Sequence, residues 1–322
     1  MGRLSNDMLQ NRIDKISCAS KDLSVVYEEL RQTAIPDSDT RRRIDTCGAV
    51  MKMRVCMESS RVLVKEQPLT RRGILSTMAS VYDPLGFAAP FILISKQILQ
   101  KMCHEKVGWD EPLQDYLRPQ WESWLLGLQN LADVKIQRCY LPSTFKDVQR
   151  YELHHFSDAS ASGYGECTYL RAINTSGEVH CSLLMGKARV APTKVMTIPR
   201  LELLAAVVAV QTSDLLRKEL EIDDLQEYFW TNSKVVLGYI NNDARRFHVF
   251  VANRIQCIKQ STDSKQWRYV TSEENPADYA SRGLTAEDLM TSNWLTGPKF
   301  LWQRELPGDV KVGEIIANDP EL

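Results

Sequence analysis

Residues 154–160 read HHFSDAS, and this stretch decides how the second half of the chain is interpreted. The residues between Tyr151 and Ser157 predict a β-strand, and Asp158 follows that strand with small residues after it. A carboxylate in that position can face an open site. A single aspartate after a strand more often only forms a turn, so Asp158 needs partners before it indicates a function.

Three further polar residues lie near the ends of other predicted elements. They are Glu202 in PRLELL (residues 199–204), Asn232 in FWTNS (residues 229–233) and Asp278 in NPAD (residues 275–278). Glu202 and Asp278 are predicted in first turns of helices, where an acidic side chain can simply stabilise the helix N-terminus. Oxygen ligands that converge from separate elements are also what two Mg²⁺ ions need to clamp the attacking and leaving oxygens of a phosphodiester.

The pattern after residue 150 predicts an α/β domain. Strands are expected at 151–157, 166–171, 179–191, 227–231 and 266–270, with helices at 197–220, 233–240, 246–261 and from 276. The order of three antiparallel strands, helix, strand, helices, strand and helix is the ribonuclease H topology, a five-stranded mixed sheet with flanking helices. The long helix is predicted to bury Leu201, Leu204, Ala205, Val208 and Leu215.

Residues 66–149 predict a mainly helical region. Helices are expected from Thr70 to about Tyr82, from 90 to 103 and from 115 to 131. In the last of these, Trp121 and Trp124 are expected to pack in a core rather than to stack on bases. Residues 1–65 have little periodicity and form a poorly defined N-terminal segment, with one helix at 23–30 and short strands at 51–55 and 61–64 as the best predictions.

Composition narrows the functional classes. The 322-residue chain is 43% hydrophobic and 25% charged with a net charge of −1, which indicates a globular protein without a general positive field. Any contact with nucleic acid must come from local patches such as 41–43, 71–72 and 245–246, although short arginine runs are usually only solvated. The eight cysteines are scattered without a Cys-x-x-Cys pair, which predicts reduced structural thiols and no zinc site.

Localisation follows from the same features. Reduced cysteines are typical of an intracellular protein, and the N-terminus has no signal-peptide pattern. No apolar stretch is long enough to span a bilayer, so no membrane partner is expected. We predict a cytoplasmic protein, with the nucleus and virus-like particles as alternatives.

The chain resembles the Pol polyprotein of BEL/Pao-type long-terminal-repeat retrotransposons. The resemblance covers about residues 62–300 and rests on nine motifs in the expected order. They are PLTRRGILS (68–76), YDPLG (82–86), GWD (108–110), FSDAS (156–160), IPRLEL (198–203), WTNS (230–233), FVANR (250–254), NPAD (275–278) and SRG (281–283).

The resemblance implies a domain order and an activity. Residues 1–65 would be a remnant of the polymerase palm, 66–149 the helical connection region, 150–285 a self-sufficient ribonuclease H-like domain, and 286–322 a tail that precedes a missing integrase. The implied activity is cleavage of RNA in RNA–DNA hybrids with two Mg²⁺ or Mn²⁺ ions. Asp158 would bridge both ions, Glu202 would hold one and orient the attacking water, and Asp278 would hold the other. The implied partners are an RNA–DNA hybrid or another nucleic acid and, if the chain is part of a longer polyprotein, the remaining Pol domains.

The departures from the family matter as much. No Tyr-x-Asp-Asp polymerase motif and no integrase His/Cys module occur, and DTCG (45–48) only approximates the Asp-Thr-Gly loop of an aspartic peptidase. The family pattern has Asp where Asn232 stands, and no histidine occurs in residues 269–277 to aid product release. An amide binds a hard cation less well than a carboxylate, so Asn232 is expected to impair the metal site.

Three functional readings remain open from the sequence. The first is a ribonuclease H-type nuclease weakened by Asn232. The second is a module that binds nucleic acid without cleaving it. The third is a structural remnant of a decayed element with neither property. Metal titration separates the first from the second, and binding of an RNA–DNA hybrid separates the second from the third.

Overall fold

The structure is a computed structural model of the chain. It describes residues 67–81, 83–131, 136, 140–142, 144–220, 222, 224–242 and 246–308. All of these residues lie in the unit Ala49–Leu322. The elements predicted before residue 65, the DTCG segment and the arginines at 41–43 lie outside the described residues.

The described helices and strands follow the predicted order. They are α1 (Arg71–Ser80), α2 (Ala89–His104), α3 (Arg118–Asn130), β1 (Val148–Ala159), β2 (Gly163–Asn174), β3 (Val179–Val190), α4 (Ile198–Leu220), β4 (Gln226–Thr231), α5 (Lys234–Asn241), α6 (Val249–Ser261), β5 (Trp267–Tyr269), α7 (Ala277–Arg282) and α8 (Ala286–Thr291). Short 3₁₀ turns occur at Ser264–Gln266, Ser272–Glu274 and Lys299–Trp302. Thr70 caps α1 as predicted, because its hydroxyl accepts a 3.2 Å hydrogen bond from the Gly73 backbone N–H.

The strands form one mixed sheet in the order β3-β2-β1-β4-β5. The β1–β2 and β2–β3 pairs are antiparallel, whereas β4 runs parallel to both β1 and β5. Helix α4 packs against β1 and β2, α2 packs against β3, and α7 packs against β2, β1 and, less extensively, β3. The predicted fold class, an α/β ribonuclease H-like sheet with flanking helices, is thereby confirmed.

Three details of the prediction are wrong. Leu215 is 41% exposed, because it lies at the edge of the buried arc of α4 and Leu216 faces the core instead. Asp158 lies inside β1 rather than after it, because β1 pairs with β2 as far as Ala159. Helix α6 begins at Val249 rather than at 246.

The helical region before the sheet shares its core. Trp124 stacks on Trp121 and on Phe91, with ring centroids 5.0 and 5.1 Å away, and its indole N–H donates to the Phe91 carbonyl at 3.0 Å. The predicted packing role of both tryptophans is confirmed.

The turn before α2 lies against β3 at Gly86. The Cα atom of Gly86 is so close to the Gly186 carbonyl that an added Cβ would lie 1.7 Å from that oxygen. The positive φ of +73° at Gly86 makes glycine doubly suitable there.

The residues after α7 also belong to the core. Trp294 is fully buried, its indole N–H donates to the Phe87 carbonyl at 2.7 Å, and its own carbonyl accepts from the Tyr169 hydroxyl at 2.7 Å. Phe300 and Leu301 belong to the same hydrophobic cluster. The hydrophobic core therefore crosses both boundaries predicted at 149/150 and 285/286. Residues 286–302 are packed structure rather than a tail.

Candidate active site

Asp158 forms the centre of the candidate site. Asp158 is only 3% exposed, and its carboxylate oxygen Oδ2 accepts a 2.6 Å hydrogen bond from the Ser281 hydroxyl on α7. The Ser281 hydroxyl also contacts the Asp278 carbonyl at 3.0 Å. Strand β1 and helix α7 are thus joined at the carboxylate through one serine.

Two glycines in β2 allow α7 to lie this close to the sheet. Gly165 is the strand partner of Asp158, and a Cβ at this position would lie 2.7 Å from the Ala280 Cβ. At Gly163 a Cβ would lie 2.8 Å from the Ser281 carbonyl oxygen. A side chain at either position would push α7, and with it Ser281, away from Asp158.

Glu202 reaches the site from α4. It is the fifth residue of the helix, so the expectation that it lies in the first turn is wrong, and stabilisation of the first-turn N–H groups does not explain it. Its Oε2 atom accepts a 2.6 Å hydrogen bond from the Ser233 hydroxyl. Ser233 caps α5 and accepts a 3.2 Å hydrogen bond from the Val236 backbone N–H. The carboxylate is therefore oriented by the residue that follows Asn232.

Asn232 joins three polar neighbours between β4 and α5. Its Nδ2 atom donates to the Ser272 hydroxyl at 3.1 Å, and its amide opposes the rise in the pKa of Asp158 that burial causes. The Asn275 amide donates to the Asn232 Oδ1 atom at 3.4 Å and to the Ser157 carbonyl at 3.0 Å. Asn232 thus takes part in a local hydrogen-bond network with both ends of its amide.

Asp278 is the most exposed carboxylate of the set. It lies in the first turn of α7 with a side chain that is 31% exposed, and its Oδ1 atom accepts a 2.6 Å hydrogen bond from Arg282 Nε. Arg282 occupies the next turn of the same helix. This ion pair is local, and it holds the Asp278 carboxylate on the helix surface.

The carboxylates influence one another electrostatically. Burial raises the pKa of Asp158, hydrogen bonds from Ser281 and Asn232 oppose that change, and the charge of Asp278 adds to it. Burial also raises the pKa of Glu202, which the Ser233 hydrogen bond opposes and the charge of Asp158 reinforces. The four predicted positions are therefore brought together around Asp158. Their roles as metal ligands or catalytic groups stay predictions.

The donor chemistry of the site suits a hard cation. Three carboxylates and one amide oxygen are the kind of ligand that Mg²⁺ takes. Among the described residues, no three His, Cys, Asp or Glu side chains are grouped closely enough to hold a metal ion. In the arrangement described, the carboxylates are engaged with Ser281, Ser233 and Arg282 instead.

Residues 70–233, slightly more than half of the chain, match the family model described as "Pao retrotransposon-like RNaseH-like domain". The chain belongs to this Pao family. The resemblance inferred from the motifs is thereby confirmed, and the matched segment contains Asp158, Glu202 and Asn232. No curated protein sequence matches this Pao-family chain.

Several solved ribonuclease H structures are similar to parts of the Pao-family chain. The N-terminal ribonuclease H domain of rv2228c from Mycobacterium tuberculosis is 10% identical, with 37% of this chain and 83% of that chain covered and a TM-score of 0.24. RNase H1 from Halobacterium salinarum is 10% identical, with 40% of this chain and 90% of that chain covered and a TM-score of 0.24. LC11-RNase H1, isolated from compost by a metagenomic approach, is 12% identical, with 41% of this chain and 91% of that chain covered and a TM-score of 0.29.

Three residues that support the site were not predicted as site residues. Ser281, Ser233 and Asn275 orient Asp158, Glu202 and Asn232 through the contacts described above. All three lie in motifs that carry the family resemblance. Their sequence signal was therefore visible, but only the fold reveals which carboxylate or amide each of them contacts.

The arginines at 71–72, predicted as a possible nucleic-acid patch, have structural partners. Arg72 forms a two-point ion pair with Asp110, with Nε–Oδ1 and Nη2–Oδ2 distances of 2.7 and 3.1 Å. The Arg71 guanidinium lies 4.1 Å above the Trp109 ring and donates to the Val107 carbonyl at 3.1 Å. These contacts fasten the start of α1 to residues 107–113 and neutralise one of the two charges.

The other sequence predictions have mixed outcomes. Arg246 lines a cleft of about 650 Å³ beside α6 that none of the four site residues borders, and Arg245 lies outside the described residues. The described cysteines 103, 167, 181 and 257 are free thiols, as predicted. Within the described part of the chain, no helix combines the length and apolar character that crossing a membrane requires.

Proposed function

We propose that this chain contains the ribonuclease H-like domain of a Pao-type Pol product, that its ancestral reaction is hydrolysis of RNA in RNA–DNA hybrids, and that Asn232 impairs this reaction. The observation that carries the proposal is the gathering of Glu202, Asn232 and Asp278 around the buried Asp158. Family membership supports the same reaction class.

Ribonuclease H-like domains generally work with divalent metal ions, and Asp158, Glu202 and Asp278 are the residues that would hold them here. Bound ions would supply charge stabilisation and an activated water. Ser281 and Ser233 fix the orientation of two of these carboxylates before any ligand binds. Such pre-orientation reduces the reorganisation that a reacting complex needs.

The expected effect of Asn232 follows from its lack of charge. A carboxylate at this position would complete a set of four acids, which formally balances two divalent ions. The neutral amide leaves that set one negative charge short, and its NH₂ group is a hydrogen-bond donor that a cation repels.

Hybrid cleavage by the full chain tests the proposal. The wild-type chain should cleave a labelled RNA–DNA hybrid weakly or not at all in Mg²⁺, and Mn²⁺ should raise the rate because it binds a given site more tightly. Asn232→Asp should increase the rate by a factor of about 10² to 10³, since one electrostatic contributor typically changes a barrier by a few kcal/mol.

Two control variants define the result. Asn241→Asp makes the same chemical change at an exposed position at the end of α5 and should not alter cleavage. Asp158→Asn in the Asn232→Asp background should abolish it. If the wild type already matches Asn232→Asp, Asn232 is not a ligand position. If no variant cleaves but the hybrid binds, the non-catalytic binding module is the better description.

A further inference from the structure

A pair of arginines lies beside the candidate site on helices α4 and α6. The Arg254 guanidinium carbon lies 3.5 Å from the centroid of the Phe250 ring, and Nη1 donates to the Phe250 carbonyl at 2.9 Å. The guanidinium carbon of Arg200 lies 5.1 Å from the same centroid. Both guanidinium groups are thus gathered around one aromatic ring.

The hydrogen-bonding capacity of the Arg254 side chain is not fully used. Its Nε atom is buried and has no hydrogen-bond partner in the described structure. Burial lowers the pKa of Arg254, the charge of Arg200 lowers it further, and Tyr164 opposes both effects. Bringing two like charges together carries a Coulombic cost, which an anion in contact with them would offset.

The pair is connected to the acidic centre through the elements that carry it. Arg200 lies on the same turn of α4 as Glu202, and Tyr164, which acts electrostatically on Arg254, is the strand partner of Ala159, the residue after Asp158. Tyr164 is also paired across β2 and β3 with Arg189, which is exposed. Arg189, Tyr164 and Arg254 therefore place cationic and aromatic side chains on a surface near the strand position that follows Asp158. We call this surface, together with Arg200 and Phe250, the arginine track.

We propose that the arginine track binds the phosphodiester backbone of the nucleic acid that reaches Asp158, with Arg254 as its principal phosphate contact. The ligand class follows from the geometry of guanidinium groups, whose planar fork matches phosphate oxygens. The half-buried rings of Phe250 and Tyr164 beside the fork provide apolar surface that suits sugars and bases. This inference rests on the proposed function, because a substrate at Asp158 is assumed. It assigns a binding surface that is separate from the carboxylates.

Binding measurements on the full chain test the arginine track without relying on cleavage. A fluorescently labelled RNA–DNA hybrid is titrated with the wild type and with Arg254→Gln at several salt concentrations. Loss of one phosphate contact should weaken binding about five- to tenfold at low salt and reduce the slope of log K against log salt by about 0.9. Arg254→Lys keeps the charge and loses the fork, so it should retain most of the slope.

The control is Arg118→Gln at the start of α3, which removes an arginine whose side chain is 45% exposed and pairs with Asp115, three residues earlier. It should leave both affinity and salt slope unchanged. If the wild type and Arg254→Gln have equal affinity and an equal slope of log K against log salt, the proposed binding role of the arginine track is wrong. A wild-type chain that binds no hybrid would overturn both the track and the proposed function. Binding that depends on Arg254, without cleavage by Asn232→Asp, would support the track and contradict the nuclease.

Discussion

Burial raises the pKa of Asp158 and the neighbouring Asn232 amide opposes that rise, so a neutral side chain acts on the most buried acid of the site. An aspartate at position 232 would place a second carboxylate beside Asp158, whose pKa Asp278 already raises. The neutral amide is therefore expected to suit the neighbourhood of Asp158 better than a carboxylate would.

The first prediction concerns the stability of Asn232→Asp. Without divalent ions, the free energy of unfolding should fall by about 1–3 kcal/mol, because a hydrogen bond is lost and a buried acid gains a like-charged neighbour. Added Mg²⁺ should restore stability to the variant and change the wild type little. Urea denaturation in EDTA and in Mg²⁺ measures both effects. Asn241→Asp serves as the control, and an equal response of the variant and the wild type to Mg²⁺ would contradict the prediction.

The site positions were predictable from sequence because each lies in a short motif at the end of an element. Their mutual contacts were not predictable, because they depend on how β1, α4 and α7 approach one another. Gly165 illustrates the difference, since its role only becomes clear when the Ala280 side chain is seen against it. The fifth-residue position of Glu202 was missed because sequence does not fix the first residue of a helix closely.

A second prediction concerns the buried ion pair between Glu152 on β1 and Arg171 on β2. Arg171 is fully buried, and Nη1 donates to Glu152 Oε2 at 2.5 Å while Nε donates to the Leu301 carbonyl at 2.8 Å. Burial alone would raise the pKa of Glu152, but the hydrogen bond from His154 and the charge of Arg171 bring it to about 2. Arg171→Met should cost about 3–5 kcal/mol, because it removes the buried cation beside Glu152 and leaves Arg150, whose side chain is 43% exposed and whose Nε atom lies 2.8 Å from Oε1, as the arginine partner of this carboxylate.

Two further variants make this prediction specific. Arg171→Met combined with Glu152→Gln should recover part of the loss, since no uncompensated charge remains. Arg72→Met breaks an ion pair whose side chains are 60% and 74% exposed, so it should destabilise the fold far less than Arg171→Met. Urea denaturation gives the three values. If the single and double variants at Arg171 are equally unstable, lost packing rather than lost charge explains the effect.

The third prediction is a pH dependence that originates at Glu166. This residue is fully buried, and its carboxylate accepts hydrogen bonds from Thr212 at 2.9 Å and Thr168 at 3.1 Å. Burial raises its pKa from 4.5 to about 7, although the charges of Lys187 and Arg189 oppose the change. Between those pH values the folded chain holds a proton that the unfolded chain releases, so stability falls as pH rises through this window.

Glu166→Gln removes this proton linkage. Relative to the wild type, the variant should therefore be more stable at pH 8 than at pH 5, and the difference should grow mainly between pH 4.5 and 7. Urea denaturation at a series of pH values measures it. Glu287→Gln changes an exposed glutamate and should give a difference that does not vary with pH. A constant difference for Glu166→Gln would show that Glu166 does not titrate with folding.

The order of strands and helices was predictable because hydrophobic periodicity and turn residues mark each element locally. The buried polar residues of the sheet were not, because Glu152, Arg171 and Glu166 look like surface residues in an alternating strand. The extent of the core was also missed. Trp294 and Phe300 lie in a segment without regular periodicity. Only contacts with residues more than a hundred positions away, Phe87 and Tyr169 for Trp294 and Phe156 for Phe300, reveal that they are structural.

The last prediction concerns the smallest fragment that folds. Residues 150–285 alone lack Trp294, Phe300, Leu301 and the packed face of α2, all of which belong to the main hydrophobic cluster. They also lack the Leu301 carbonyl that Arg171 needs. We therefore expect residues 67–308 to unfold in one cooperative transition near the midpoint of the full chain. Residues 150–285 should melt at a much lower temperature or without cooperativity. Circular dichroism melts of the three proteins measure this.

A point variant separates loss of the core from the effects of truncation. Trp294→Ala in the full chain should lower the free energy of unfolding by about 3–5 kcal/mol, because it leaves a cavity and removes the donor to the Phe87 carbonyl. Trp302→Ala provides the control, since this tryptophan is 40% exposed and should cost much less. A fragment 150–285 that melts cooperatively at the midpoint of 67–308 would contradict the shared core. It would instead support the domain boundaries that the family resemblance implies.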